Sequence, residues 1–183
     1  MASTLHEEQR YVSTIAESKG IPLEFLLHAR ETQTAQEKAT LLGWGQKDAH
    51  RVIKAVYFSN GETRVGVITP DRGKRIDTKA VLANALGISS KQAGRFGING
   101  GVPRGMSAGT SSPFPYESLV GTDIAKLIIF EAPELTGVFS DVSLGIHGEG
   151  ARISLQLPYD GISKILTEKF GERAAVVPAR YVG

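Results

Sequence analysis

The sequence predicts an α+β fold: a mixed, barrel-like β-sheet flanked by helices and preceded by a helical extension. Two observations carry this. Segments of β-branched and aromatic residues with alternating polarity recur at 52–58, 64–69, 126–130, 138–144 and 152–157, and segments with helical spacing lie before, between and after them. Their order, two strands and a helix, then three strands and a helix, suits a mixed sheet or small barrel rather than a regular alternation of strand and helix.

Residues 4–19 read as an amphipathic helix. Thr4 and Glu7 have the spacing of a capping box, Leu5, Val12, Ile15 and Ala16 share a face, and Gly20 can end it. Pro22 opens a short apolar run, Leu23 to Leu27, of either type. A second helix starts at Thr34, with Glu37 three places on and Ala35, Ala39 and Leu42 on one side, before the Gly43-Trp44-Gly45 corner. Val52 to Phe58 and Arg64 to Thr69 form a hairpin across Asn60-Gly61. Asp77 or Thr78 caps a helix carrying Val81, Leu82, Ala85 and Leu86, ended by Gly87, and Ser89 with Gln92 caps a shorter one. Asp160 caps a last helix with Ile162, Ile165, Leu166 and Phe170, ended by Gly171, and 172–183 read as a loose tail.

Composition bounds the function. The chain has 183 residues, 41% hydrophobic and 22% charged, enough for one domain with a core. It has no cysteine, so no disulfide framework and no thiolate chemistry. Met1 is followed by polar residues rather than a leader, and no apolar run reaches membrane-spanning length, which leads to the expectation of a cytoplasmic protein away from membranes. A net charge of +2 permits nucleic-acid contact without arguing for it.

The stretch 100–116 has neither helical nor strand period, and holds four glycines and three prolines. Glycine allows close backbone approach and proline fixes φ, so the loop is rigid and irregular, able to offer N–H groups to a carbonyl or phosphate oxygen. Within it Gly105-Met106-Ser107-Ala108-Gly109 spells a nucleophile elbow, but prolines and glycines stand where the preceding strand and following helix should be. The same stretch lacks the lysine of a P-loop, Met106 standing in its place. Lys54 is the odd residue of its strand, on the face of Val52, Val56 and Phe58, where it either blunts a sheet edge or reaches an anion in a cleft. His6, His28, His50 and His147 lack metal-ligand spacing, so neither metal nor cofactor is expected. His147, in the turn 145–150, is either a solvated turn residue or a polar group at a pocket rim.

Lys54 in Val-Ile-Lys-Ala-Val-Tyr-Phe, followed by Gly109-Thr110-Ser111-Ser112-Pro113, resembles the YbaK family, which includes the editing insertion domain of bacterial prolyl-tRNA synthetases and free-standing relatives. The opening run from Thr34 through Ala39 and Gly43 is similar too, so the resemblance spans about residues 30–170. It divides the chain into an N-terminal helical extension at 1–30, a deacylase domain at 31–171 and a tail at 172–183. It implies a trans-acting aminoacyl-tRNA deacylase that hydrolyses the ester of a mischarged tRNA at its acceptor end, with an aminoacyl-tRNA synthetase as a further partner. Lys54 and Gly109 would be the catalytic positions: Lys54 would hold the terminal nucleotide, and amides from Gly109 to Ser112 would receive the ester carbonyl. Thr110, Ser111, Ser112, Pro113, His147 and Gly150 would bind substrate, though Ala151 competes with His147 for the late-turn position. Two other readings stand beside it: a non-catalytic tRNA- or protein-binding member of the fold, and a serine hydrolase using Ser107.

Overall fold

The computed structural model describes residues 5–32, 34–106, 109, 111–120, 124–145 and 152–183. Its elements run in the order α1 (Tyr11–Ser18), β1 (Glu24–Leu27), α2 (Ala35–Leu41), β2 (Val52–Ser59), β3 (Arg64–Pro70), β4 (Arg75–Ile76), α3 (Thr78–Leu86), α4 (Ser90–Ala93), α5 (Glu117–Val120), β5 (Ile124–Phe130), β6 (Phe139–Ser143), β7 (Ile153–Pro158), α6 (Tyr159–Phe170), β8 (Ala174–Val177) and β9 (Tyr181–Val182). Seven strands form one mixed sheet in the order β1-β7-β6-β2-β3-β5-β8, and β4 pairs with β9.

Alternation along β2 sorts the core. Ile53, Ala55 and Tyr57 point into the main cluster, which α1 and α6 close with Tyr11, Val12, Ala16, Ile162, Ile165 and Leu166. The opposite face carries two smaller clusters. Val56 and Phe58 pack with Val81 and Leu82 of α3, and Val52 packs with Ala35 and Ala39 of α2. Lys54 stands in the gap between them, as its place in the alternation requires.

Local signals account for most element ends. Thr34 Oγ1 accepts the Glu37 N–H at 3.1 Å, and Ser89 with Gln92 forms the full reciprocal box. Gly87 closes α3 at φ +63°. At the hairpin, Asn60 does not enter left-handed space: Gly61 takes φ +97°, and Asn60 Oδ1 accepts the N–H groups of Glu62 and Thr63.

Four expectations change. The first helix is shorter: a single tight turn at Glu7–Gln9, capped by His6, precedes α1. The expected helical extension also contains a strand, because the apolar run after Pro22 pairs with β7 as β1. Asp160 lies inside α6 rather than capping it; its carboxylate instead accepts the Gly137 N–H at 2.9 Å and meets Lys164, and although burial raises its pKa, that hydrogen bond and then the lysine bring it below the usual carboxylate value. The expected loose tail is ordered: β8 joins β5 in parallel, β9 pairs with β4, and the Tyr181 hydroxyl lies 2.6 Å from Thr69 Oγ1. Among the described residues no helix is long and apolar enough to cross a membrane.

Candidate functional site

A cleft opens where two parallel strands part. β2 and β6 are in register only at Val52–Asp141 and Ile53–Val142. Beyond that point Gly97 and Gly101 lie against β2 at Ser59 and Tyr57, and about 630 Å³ stays open between. That volume suits a small-molecule-sized group. Its walls are Lys54 to Tyr57 of β2, Ser143 of β6, Ile98, Asn99, Val102, Gly109 and Ser111 of the loop, and Thr34, Ala35, Gln36 and Lys38 at the start of α2.

Lys54 is half-buried, and its ammonium lies 3.8 Å from Asp71 Oδ1. The same oxygen accepts the Gly73 N–H at 2.9 Å. An ion pair of this length and exposure restrains the lysine weakly, so the ammonium can turn to an incoming anion.

The loop is held from four directions. The Tyr57 hydroxyl donates to the Ser112 carbonyl at 2.7 Å, and burial pushes its pKa well above the ordinary phenol value. Arg64 Nε donates to the Gly101 carbonyl at 2.8 Å. From the N-terminal segment, Gln9 Nε2 donates to the Phe114 carbonyl at 2.7 Å, and the Tyr11 hydroxyl donates to that of Pro115 at 2.9 Å. Inside the loop Tyr116 donates to the Gly105 carbonyl at 2.9 Å. Two glycines are required by contact. A Cβ on Gly101 would lie 2.3 Å from the Tyr57 carbonyl oxygen, and one on Gly105, at φ +83°, would lie 2.4 Å from the Tyr116 ring.

Of the residues singled out in the sequence, Lys54, Gly109 and Ser111 line this one cleft. Ser112 and Pro113 are buried beneath it; Ser112 Oγ accepts the Phe114 N–H at 3.0 Å and shapes the bend. Ser107, Thr110, His147, Gly150 and Ala151 lie outside the described residues. Among the described residues no group of three or more His, Cys, Asp or Glu side chains could hold a metal ion.

Sequence reading missed a buried polar chain under the α2 wall. Lys38 Nζ meets Asp141 Oδ1 at 2.6 Å, Ser154 Oγ donates to Asp141 Oδ2 at 2.7 Å, and His28 Nε2 lies 2.7 Å from Ser154 Oγ. Since the Ser154 proton goes to the carboxylate, His28 Nε2 is the donor to Ser154. Burial and then the Lys38 charge lower the His28 pKa, against the pull of Asp141. These four residues sit on α2, β6, β7 and the end of β1, so no local spacing links them. The one available signal is Asp141, a carboxylate in the middle of an apolar strand.

No protein-family model matches the chain, and no curated protein matches it in sequence. Solved structures do. A crystal structure of hypothetical protein APE2540 superposes with a TM-score of 0.58 at 19% identity, over 92% of this chain and 98% of that one. A chain from work on epitope backbone grafting onto scaffold proteins gives a TM-score of 0.58 at 16% identity, over 97% of this chain and all of its own. At these identities the likeness is one of fold: the α+β arrangement around a seven-stranded mixed sheet is shared over nearly the whole length.

Proposed function

We propose that this protein is a trans-acting aminoacyl-tRNA deacylase of the YbaK type, acting on the acceptor end of a mischarged tRNA. The supporting observation is that Lys54, Gly109 and Ser111 line one cleft of suitable size. The lysine ammonium takes the phosphate of the terminal nucleotide, a charge-assisted contact well suited to a compact cation. The loop amides take the ester carbonyl. Water adds to the acyl carbon, with its proton passing towards a ribose hydroxyl. The acyl carbon–ribose oxygen bond then breaks, leaving a free amino acid and a tRNA terminus with both hydroxyls restored. Ester hydrolysis of this kind asks for a placed water and a stabilised oxyanion, not for a nucleophilic side chain. The test is a deacylation panel of mischarged tRNAs with Lys54→Ala as control. Loss of hydrolysis in that variant supports the reading; no turnover on any member by the unaltered protein overturns it.

A further inference from the structure

Hydrogen bonds at the two ends of the β2–β3 hairpin fix which way each β2 main-chain group points. Asp71 N–H donates to the Val52 carbonyl at 3.0 Å, and Asn60 N–H donates to the Thr63 carbonyl at 3.3 Å. The register between them is unbroken, with Lys54 opposite Thr69 and Ala55 opposite Ile68. In an antiparallel pair the bonded residues alternate. Val52, Lys54, Val56 and Phe58 therefore turn their N–H and C=O groups to β3, and Ile53, Ala55, Tyr57 and Ser59 turn theirs to the other edge.

Two of those four are hydrogen-bonded and a third is blocked. Ile53 is paired with β6. Ser59 exchanges both bonds with Gly97, at 2.9 and 3.0 Å. At Tyr57 the backbone of Gly101 stands so close to the carbonyl that a Cβ there would lie 2.3 Å from its oxygen, which closes that position to a ligand although no hydrogen bond is made. Ala55 remains: it lines the cleft, and its N–H and C=O have no partner among the described residues. A strand in a packed domain rarely leaves both groups of one residue unanswered.

We infer that this bare main-chain pair at Ala55 is the docking point for the aminoacyl group of the substrate, an inference that rests on the deacylase reading above. An aminoacyl ester is itself one residue of chain, with an ammonium donor and a carbonyl acceptor on adjacent carbons. Laid antiparallel to Ala55 it completes a single bonded pair, its ammonium on the Ala55 carbonyl and its ester carbonyl on the Ala55 N–H. This is strand addition reduced to one residue. The same carbonyl oxygen has a second lone pair for the loop amides, so the developing oxyanion is held from both walls. Directly opposed residues project side chains to the same face. The amino-acid side chain then lies beside the Ala55 methyl, between Tyr57 and Ser143, on the face opposite Lys54.

The experiment has two arms. In the free protein, amide hydrogen exchange is read by NMR: the Ala55 N–H should exchange faster than those of Lys54 and Val56, which are in the ladder. Adding 3′-aminoacylamido-3′-deoxyadenosines, which cannot be hydrolysed, should slow and shift it. In the second arm Ala55→Pro removes this N–H without deleting a bond of the ladder with β3, which does not use it. Deacylation should fall on the order of 10²–10³-fold, as for loss of one oxyanion donor, with the exchange pattern of the rest of the sheet retained. If Lys54→Ala abolishes hydrolysis but no analogue alters the Ala55 amide, the inference is overturned and the deacylase reading stands. If no analogue binds and no mischarged tRNA is hydrolysed, both fall. The first arm needs no variant, so a misfolded Ala55→Pro chain does not shield the inference.

Discussion

Lys38 Nζ and Asp141 Oδ1 are 2.6 Å apart, with Asp141 fully buried and Lys38 nearly so. The pair ties the helix on one wall of the cleft to the strand at its floor. Removing one partner of such a pair leaves a charge in a poor solvent, which typically costs about 3–5 kcal/mol. Asp141→Ala should lose stability on that scale in urea denaturation. Replacing both partners together, Lys38→Met with Asp141→Leu, should recover a large part of it, and an additive double variant would count against the pairing.

His28 gives stability a pH dependence of known sign. Its pKa in the folded chain lies below the usual 6.5, so the unfolded chain binds the proton more readily. The contribution of His28 is therefore full above pH 6.5 and is lost as pH falls through its folded pKa. His28→Gln should flatten this part of the stability profile between about pH 5 and 7. An equally steep profile in that variant would place the titration elsewhere.

Activity should separate Lys54 from Ser107. Lys54→Ala is expected to abolish deacylation while leaving the denaturation midpoint nearly unchanged, since its ion pair with Asp71 is long and half-exposed. Ser107→Ala should leave deacylation intact. The reverse pattern, with small esters hydrolysed by the lysine variant and by nothing lacking Ser107, would favour a serine hydrolase.

Gly101→Ala tests the loop without removing a polar group. The added methyl meets the Tyr57 carbonyl oxygen, so the loop must move off β2. Overpacking of this kind costs about 1–3 kcal/mol. The expected result is a lowered melting temperature together with reduced deacylation; activity at the level of the unaltered protein would show that the loop's seat on β2 is unimportant.

Much of this architecture was legible in the residues, and the exceptions have physical causes. Thr34, Ser89 and Gly87 act within four residues of themselves, so their caps could be read directly. The alternation that set Lys54 apart from Ile53 and Ala55 is equally local. The C-terminal strands were missed because 172–183 has no period of its own: β8 is ordered by β5 and β9 by β4, partners far off in sequence. The His28–Ser154–Asp141–Lys38 chain was missed for the same reason. In the candidate site, residue type picked out the lysine and the loop, but the parting of β2 and β6 that makes room between them is a property of the register alone.

Gln9 and Tyr11 reach the carbonyls of Phe114 and Pro115 from the far end of the chain. A fragment trimmed to residues 31–171 would keep Lys54 and every glycine of the loop, yet that loop would be cut from two of its moorings. The leading segment is thus a brace for the loop, and shortened versions of the protein should be judged by what they have unfastened rather than by which motifs they retain.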